Sequence, residues 1–502
     1  MGNLAGLKFI TRKGNQYFYD DNTGMVFPCP DAMFEILQLY QDRSKAEIID
    51  MLGSKYPKRD ILNYFDLIET WSNTHGSFFL EKRDSTFLQK VSEEKIIDHL
   101  QNFGFKQMIL NVTENCNLRC KYCLFSSEYL YERTHSNNKM DFSIAKKAID
   151  YYHEWCQKVK ARIPSRTPVI TFYGGEPLLA FALVRRVIEY AKSIFEGDVF
   201  FTMTTNAVLL TEQIIDYVVE NKVSVSISLD GSREEHDRLR VAKNGDGTFA
   251  KVMKNLELLW KKYPHYVYNI VVSTHDYGTD LIAVKRFFEE KKDVLPFVAR
   301  ASFVNPNFTN YLDRYDEKDR LAFKEQFRSL RKEYFHKIIK KNKHIPGFLD
   351  TLVGMNCRMI LLKQMIGDHR HLLLPYTWAC VPGDKLSVSW DGILHICEKI
   401  NGNFPIGTVE QGLDFSKIKE LICHYRETIL LDCIQCPITR LCMSCYSQFA
   451  GEGEFKREPA DVCEPRILTT KEELAFTYSI LEENPDAFKT VMTDYYKELS
   501  WI

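Results

Sequence analysis

The chain has almost no net charge. Its 66 lysines and arginines are balanced by 67 aspartates and glutamates, leaving −1 over 502 residues. That balance gives no global attraction to nucleic acid or to an anionic membrane. No apolar run of about 18 residues occurs, and no signal peptide, so neither a bilayer span nor secretion is expected. Internal repeats and low-complexity tracts are also missing. Length instead implies roughly two to four domains, and 45% hydrophobic with 13% aromatic residues is ample for their cores. Fourteen cysteines are present, and most are grouped. In so long a chain grouping points to metal ligation in a reducing cytoplasm rather than to a secreted disulfide framework. Only Cys29, Cys156 and Cys423 stand alone and are read as ordinary thiols.

The stretch with the most chemistry is Asn111–Cys123, in which Cys116, Cys120 and Cys123 follow the apolar run Met108-Ile109-Leu110. Three thiolates on one loop can hold three irons of a [4Fe–4S] cluster, where four are normally used. The fourth iron is then open to a small chelating molecule. A structural zinc site prefers four tetrahedral ligands and fits this spacing poorly. The loop resembles the signature of the radical S-adenosylmethionine (radical SAM) enzymes, down to Tyr122 before the last cysteine. The resemblance implies that SAM chelates the open iron and is cleaved to a 5′-deoxyadenosyl radical that abstracts hydrogen from a substrate.

Around this loop the chain alternates strand and helix, with strands expected at about 107–113, 168–173, 199–205, 223–229, 267–273 and 296–303. Asp141 or Ser143, Thr211 and Thr248 stand at N-cap positions. Six βα units imply a parallel sheet with its chemistry at the strand C-terminal ends. The fold class expected is α/β, a partial (β/α)6 radical SAM barrel over residues 106–310. Gly174-Gly175-Glu176-Pro177, after the second strand, resembles the family's GGEP motif, which implies a hold on the SAM amino group. Asn206, Ser228 and Arg240, at or beyond later strand ends, are by resemblance near SAM, its ribose or its carboxylate. His236 and Asp237 read equally well as site residues or as a solvated turn.

Residues 1–80 show hairpin-like strands and then helical patterns at Ala32–Gln41, Lys45–Lys55 and Arg59–Asn73. This is a winged-helix outline without a basic recognition helix. It resembles a RiPP recognition element, which implies that the leader of a ribosomal precursor peptide is added as an edge strand. A charged linker is expected at 81–105. A solvated helical bridge is expected at 311–375, with charged residues from Asp313 to Lys341 and Lys343. Residues 467–502 read as a C-terminal helix, Glu472–Glu482, and a polar tail ending Trp501-Ile502.

A second cysteine field fills 376–466: Cys380, Cys397, Cys433, Cys436, Cys442, Cys445 and Cys463, with Pro and Gly between them. It resembles the SPASM domain, a small domain dependent on two auxiliary [4Fe–4S] clusters, for three clusters in all. One spacing departs from the pattern, since two residues rather than three separate Cys442 from Cys445. By carry-over Cys433, Cys436, Cys442 and Cys463 hold the outer cluster, and Cys380, Cys397 and Cys445 the inner. Three clusters, one completed by SAM, take eleven thiolates, and these motifs supply ten. Cys357 is the nearest unassigned candidate for the missing ligand. The alternatives are an open iron that takes a substrate thiol, and a buried, unliganded Cys357.

A peptide-recognition domain, a radical SAM barrel and a SPASM domain together resemble RiPP maturases. The segment His395–Asn401 with Phe404–Gly407 is most similar to maturases that form thioether links in cysteine-rich peptides. The expectation is therefore a radical SAM oxidoreductase that forms sulfur-to-carbon cross-links, fed by an electron donor such as flavodoxin or ferredoxin. Carbon–carbon or carbon–oxygen cross-linking and oxidation of a serine or cysteine are alternatives. So, in another class, is an iron–sulfur electron-transfer or sensor protein. Glu398 stands where the serine- and cysteine-oxidising sulfatase maturases carry an acidic base, which implies a catalytic proton acceptor.

Overall fold

The computed structural model describes residues 4–82, 90–264, 266, 268–295, 297–340, 345–365, 373–375, 377–457 and 463–489. Lys341 and Lys343 of the charged run, and the tail to Trp501 and Ile502, lie outside the described residues.

The N-terminal unit is an antiparallel sheet of β1 (Gly6–Ile10), β2 (Gln16–Asp20) and β3 (Val26–Pro28), in that order. Gly14 and Gly24 make both turns at positive φ, which side chains rarely adopt. Helices α1 (Asp31–Leu39), α2 (Lys45–Leu52) and α3 (Lys58–His75) follow. A Ser44–Glu47 capping box starts α2, and left-handed Gly76 ends α3. Phe18, Phe27, Ile36, Ile48, Ile61, Phe65, Ile68 and Phe78 form one core between sheet and helices. The opposite sheet face does not meet solvent. Leu7, Phe9 and Tyr19 pack on Ile438, Leu441 and Leu474, from the second cysteine field and the C-terminal helix.

The stretch read as a charged linker holds a helix, Glu93–Phe103, which buries Ile96 and Leu100. Its His99 Nε2 lies 2.9 Å from a carboxylate oxygen of Asp384. Six parallel strands then appear: β4 (Gln107–Thr113), β5 (Val169–Gly174), β6 (Phe200–Thr205), β7 (Ser224–Ser228), β8 (Asn269–His275) and β9 (Phe297–Phe303). Each strand C-terminal end therefore opens on the same rim. The helices between them bury one face apiece; Phe142–Lys160 buries Ala145, Ile149, Tyr152, Trp155 and Cys156. Asp141, Thr211 and Thr248 are N-cap residues, but none makes a side-chain cap bond.

The second cysteine field continues this sheet. Strand β10 (Lys385–Val388) pairs in parallel with β4, and β11 (Ile393–His395), β12 (Pro405–Thr408) and β13 (Gly412–Leu413) add antiparallel beyond it. The result is a ten-stranded sheet in the order β13-β12-β11-β10-β4-β5-β6-β7-β8-β9. In the charged region, helix Glu317–Ile339 buries Phe323, Leu330, Tyr334 and Phe335, so it is packed on one face rather than solvated all round. The C-terminal helix runs Cys463–Glu483, starting nine residues before the sequence pattern suggested. Among the described residues, no helix is long and apolar enough to cross a membrane.

Candidate active site

Thr113 ends β4, and the loop behind it folds back under the β5 turn. Gly175 N–H donates to Thr113 O (2.7 Å) and Glu176 N–H to Asn115 O (2.9 Å). The fit leaves no room for side chains. A Cβ on Gly174, at φ +138°, would sit 2.2 Å from Thr113 O, and one on Gly175 2.2 Å from Asn115 O. Glycine is what lets the two loops touch. Pro177 then opens a short 3-10 helix, Pro177–Ala180, for which Glu176 is the cap: its Oε1 accepts from Leu178 N–H (3.0 Å).

Glu176 is 1% exposed and faces inward. Oε1 also accepts from Thr205 Oγ1 (2.7 Å), and Oε2 from Asn206 N–H (2.8 Å). Burial raises its pKa, and these bonds oppose the rise. Its first duty is therefore to tie the end of β6 to the β5 turn. Asn206, so fixed, donates Nδ2 to Asn117 Oδ1 (2.9 Å) and points at Cys116 Sγ, 3.9 Å away.

A second hub sits across the rim. Asp230, just beyond β7, accepts from Tyr122 Oη (2.7 Å) and Arg240 Nε (2.8 Å) at Oδ2, and from Thr274 N–H (3.0 Å) at Oδ1. Burial pushes this carboxyl up, but the Arg240 charge and these donors hold it below the ordinary carboxylate range. Arg240 in turn lies 3.9 Å from Cys120 Sγ and over the Tyr122 ring. His236 and Asp237 support this arrangement rather than face the cavity. His236 is fully buried and bonds Thr248 Oγ1 (3.0 Å), and Asp237 accepts from the N–H groups of Thr248 and Phe249. Asp230 was not singled out from the sequence; a buried acid two residues after a strand end, opposite an arginine, was the available signal.

These elements enclose one cavity of about 560 Å³, within the range of small-molecule sites. Cys116, Cys120, Cys123, Tyr122, Gly174, Gly175, Glu176, Asn206, Ser228 and Arg240 all line it. Burial pushes the Cys116 thiol up to about 11 and the Cys120 thiol to about 12, a shift that metal coordination would oppose. Among the described residues, no three His, Cys, Asp or Glu side chains converge on a single-ion site. The three thiols line one shared space.

The rest of the wall includes Tyr173 on β5, Arg300 and Ser302 on β9, and Lys399, Ser447 and Gln448 from the second cysteine field. Gln448 Oε1 is buried without a hydrogen-bond partner, as is Glu398 Oε2. The Glu398 charge acts on Tyr173, part of that wall.

The other cysteines fall into two further groups. Cys433, Cys436, Cys442 and Cys463 line one cavity of about 250 Å³ with Ile429, Leu430, Ile438 and Phe449. Cys380 and Cys397 each lie within electrostatic reach of Cys445. Cys357 does not join them. It is fully buried on helix Met355–Met365, its thiol directed at Val353 O, with Thr477, Glu473 and Arg331 around it. Its helix packs against the C-terminal helix, and the thiol sits in the core between them. All fourteen cysteines are free thiols.

Comparison with known proteins agrees with this geometry. Residues 110–288 match the model of the radical SAM superfamily. An uncharacterised protein of Methanocaldococcus jannaschii is 26% identical over 330 residues, 65% of this chain and 97% of that protein. A cysteine-type anaerobic sulfatase-maturating enzyme of Clostridium novyi is 28% identical over 195 residues, 38% of this chain. That alignment spans 49%, about half, of the maturase's own length. The structure of native anSMEcpe with bound AdoMet and Cp18Cys peptide superposes with a TM-score of 0.55 at 19% identity, covering 76% of this chain and 99% of that one. The match over residues 110–288, with the parallel sheet and the cysteine loop, gives this part of the chain the radical SAM fold, and over it the chain is similar to radical SAM enzymes.

Proposed function

We propose that this enzyme matures a ribosomally made, cysteine-rich peptide by joining a cysteine sulfur to a carbon in a thioether. The observation that carries the reading is the composition of the cavity. The cavity is lined both by the cysteine loop with the β5 and β6 ends and by Lys399, Ser447 and Gln448 from the second cysteine field. A substrate between them touches the radical centre and the auxiliary side at once. Cys116, Cys120 and Cys123 would hold the first cluster; Gly174, Gly175, Glu176, Asn206, Ser228 and Arg240 would hold SAM. When bound, that pair supplies one-electron hydrogen abstraction.

The chain's own residues do the rest. The Asp230–Arg240–Tyr122 hub fixes the back of the SAM pocket, and the Glu176–Thr205–Asn206 bonds fix its floor. Glu398, its Oε2 unpartnered beside the cavity wall, would accept the proton of the substrate thiol. The two remaining cysteine groups would hold two auxiliary [4Fe–4S] clusters, as the four thiols around one cavity support. A flavodoxin or ferredoxin in a reducing cytoplasm would supply electrons.

Residues 1–80 would bind the leader. Pairing of Phe27 with Phe18 leaves the Val26 N–H and C=O facing the free side of β3. A leader strand can add there. The test is incubation of the reconstituted enzyme with SAM, dithionite and a short cysteine-rich peptide, chosen from any reading frame found beside its gene. The expected product is lighter by two hydrogen atoms per link, with one thiol fewer to alkylate. A product with its thiols intact would reject the thioether.

A second reading, oxidation of a cysteine or serine to an aldehyde, draws on the unpartnered Glu398 and on the sulfatase-maturating relative. It predicts a carbonyl that reacts with hydrazides.

A further inference from the structure

The two auxiliary cysteine groups differ in what faces their sulfurs. At the outer group Arg457 Nη1 donates to Cys463 Sγ at 3.2 Å, while Nη2 donates to Ile429 O at 2.6 Å. The same carbonyl accepts from the Cys433 thiol at 3.6 Å, so the guanidinium is fixed across two of the four positions. Arg466, one turn into the helix that Cys463 begins, has Nη1 3.9 Å from Cys442 Sγ. Lys363 reaches the same loop from behind. It is 3% exposed, and its Nζ donates to the carbonyls of Cys442 (3.2 Å) and Leu441 (3.4 Å). Opposing charge is modest. Asp432 pairs with Arg457 at 3.2 Å but is 72% exposed, where solvent screens it. Asp21 faces Cys436 with its oxygens engaged by Thr439 and Arg440.

The inner group has no comparable cation, although Cys397 accepts backbone N–H bonds from Lys399 and Ile400. Among the described residues, no guanidinium or ammonium lies within hydrogen-bonding distance of Cys380, Cys397 or Cys445; Cys445 meets the neutral hydroxyl of Ser447 at 3.2 Å. The charges acting first on Cys397 and Cys380 are the carboxylates Glu398 and Asp384, with Lys385 and Lys106 behind Asp384.

Two guanidiniums directed at the neutral thiols of Cys463 and Cys442 would be an expensive arrangement, and an anionic occupant removes the expense; Lys363, whose pKa burial lowers to about 7, adds only its bonds to the loop carbonyls. A cluster gains one negative charge on reduction. Cations and N–H donors at its sulfurs favour the reduced form, and nearby carboxylates disfavour it. We propose that Arg457 and Arg466 are positioning residues that set the outer site at a higher reduction potential than the inner one, making the outer site the electron-accepting end of the pair. This rests on the reading above, that both groups hold clusters.

The test is potentiometric titration of the full-length reconstituted enzyme, followed by electron paramagnetic resonance, with iron counted in every sample. Cys397→Ala assigns the inner signal by removing it. The expected result is an outer potential above the inner one. It should move to more negative values in Arg457→Gln and Arg466→Gln, be largely restored in Arg457→Lys, and leave the inner potential in place. A wild-type outer potential at or below the inner one overturns the proposal. So does an outer potential unmoved in both glutamine variants at full iron content. If Arg457→Gln loses the outer iron, that arginine is structural, and the Arg466→Gln shift alone decides. Iron sufficient for the first cluster only would instead reject the auxiliary clusters themselves, and this proposal with them.

Discussion

The two halves of the ten-stranded sheet position their cysteines by different means. On the β4–β9 side, regular parallel strands end on one rim, and the site residues follow strand ends, Arg240 alone among those named coming after the helix Arg233–Leu239 beyond β7. On the β10–β13 side the strands are two to four residues long, and the cysteines lie mostly on loops and short helical turns. Those loops are held from outside. Asp21 of the N-terminal unit accepts from Thr439 and Arg440 N–H groups, and Arg440 returns bonds to the carbonyls of Asp21 and Asn22. The first half orders its site by backbone hydrogen bonding; the second borrows order from a distant part of the chain. Damage should therefore stay local in the first and spread in the second.

The strongest test of that contrast removes a ligand from the regular half. Cys116→Ala, Cys120→Ala or Cys123→Ala should reduce 5′-deoxyadenosine formation under dithionite to background while iron bound elsewhere is retained. Chromatography and iron analysis on one sample read both. Iron lost from all groups together would show that the halves are not independent. Next in size is Gly175→Ala. The added Cβ overlaps Asn115 O, and overpacking of roughly 1–3 kcal/mol should weaken SAM affinity roughly five- to hundredfold, measured by calorimetry on the folded variant.

The same contrast decides what the sequence could reveal. The barrel was legible because period-2 strands, amphipathic helices and Gly174-Gly175-Glu176-Pro177 are local patterns. The outer cysteines were also legible, since their spacing brings four thiols to one cavity. Tertiary partnerships left no such trace. Asp21 lies in a turn like any other until it meets Thr439, more than 400 residues later. Cys357 looked like a ligand because it was the nearest spare thiol in sequence, yet its helix turns it toward Thr477. Asp230 was obscured by its turn, because only the fold brings Tyr122, Arg240 and Thr274 to it.

A smaller effect asks whether the N-terminal unit does more than brace the outer loop. Deleting it would confuse the two roles, since Leu7, Phe9 and Tyr19 are packed into that region. Val26→Pro is cleaner. It removes the amide that faces the free edge of β3 and costs only the partly buried Val26 side chain from the packed face, so iron content and folding are measured on the same variant. Loss of one such bond with its strand geometry should weaken precursor binding roughly tenfold, by fluorescence anisotropy, with SAM cleavage in the absence of peptide unchanged. Unaltered binding would leave the unit as a brace only.

The smallest expected effect is on acid stability, and it belongs to the regular half. His275, at the end of β8, and His236, beyond β7, are both fully buried, and burial holds each at about 4. Unfolded, each would titrate near ~6.5. A histidine with a depressed folded pKa lends its full stability above the unfolded value and loses it as pH falls toward the folded one. Between pH 7 and pH 5 each should cost about 2 kcal/mol by this linkage. Glu132 works the other way, because burial raises it to about 7 and protonation then favours the folded form. The net fall in a urea midpoint is thus a poor readout. The difference between wild type and His275→Gln is a better one, since Glu132 is common to both and cancels. His275→Gln should recover about 2 kcal/mol of the acid loss, and identical pH dependence in the two proteins would show that His275 is not kept neutral by the fold.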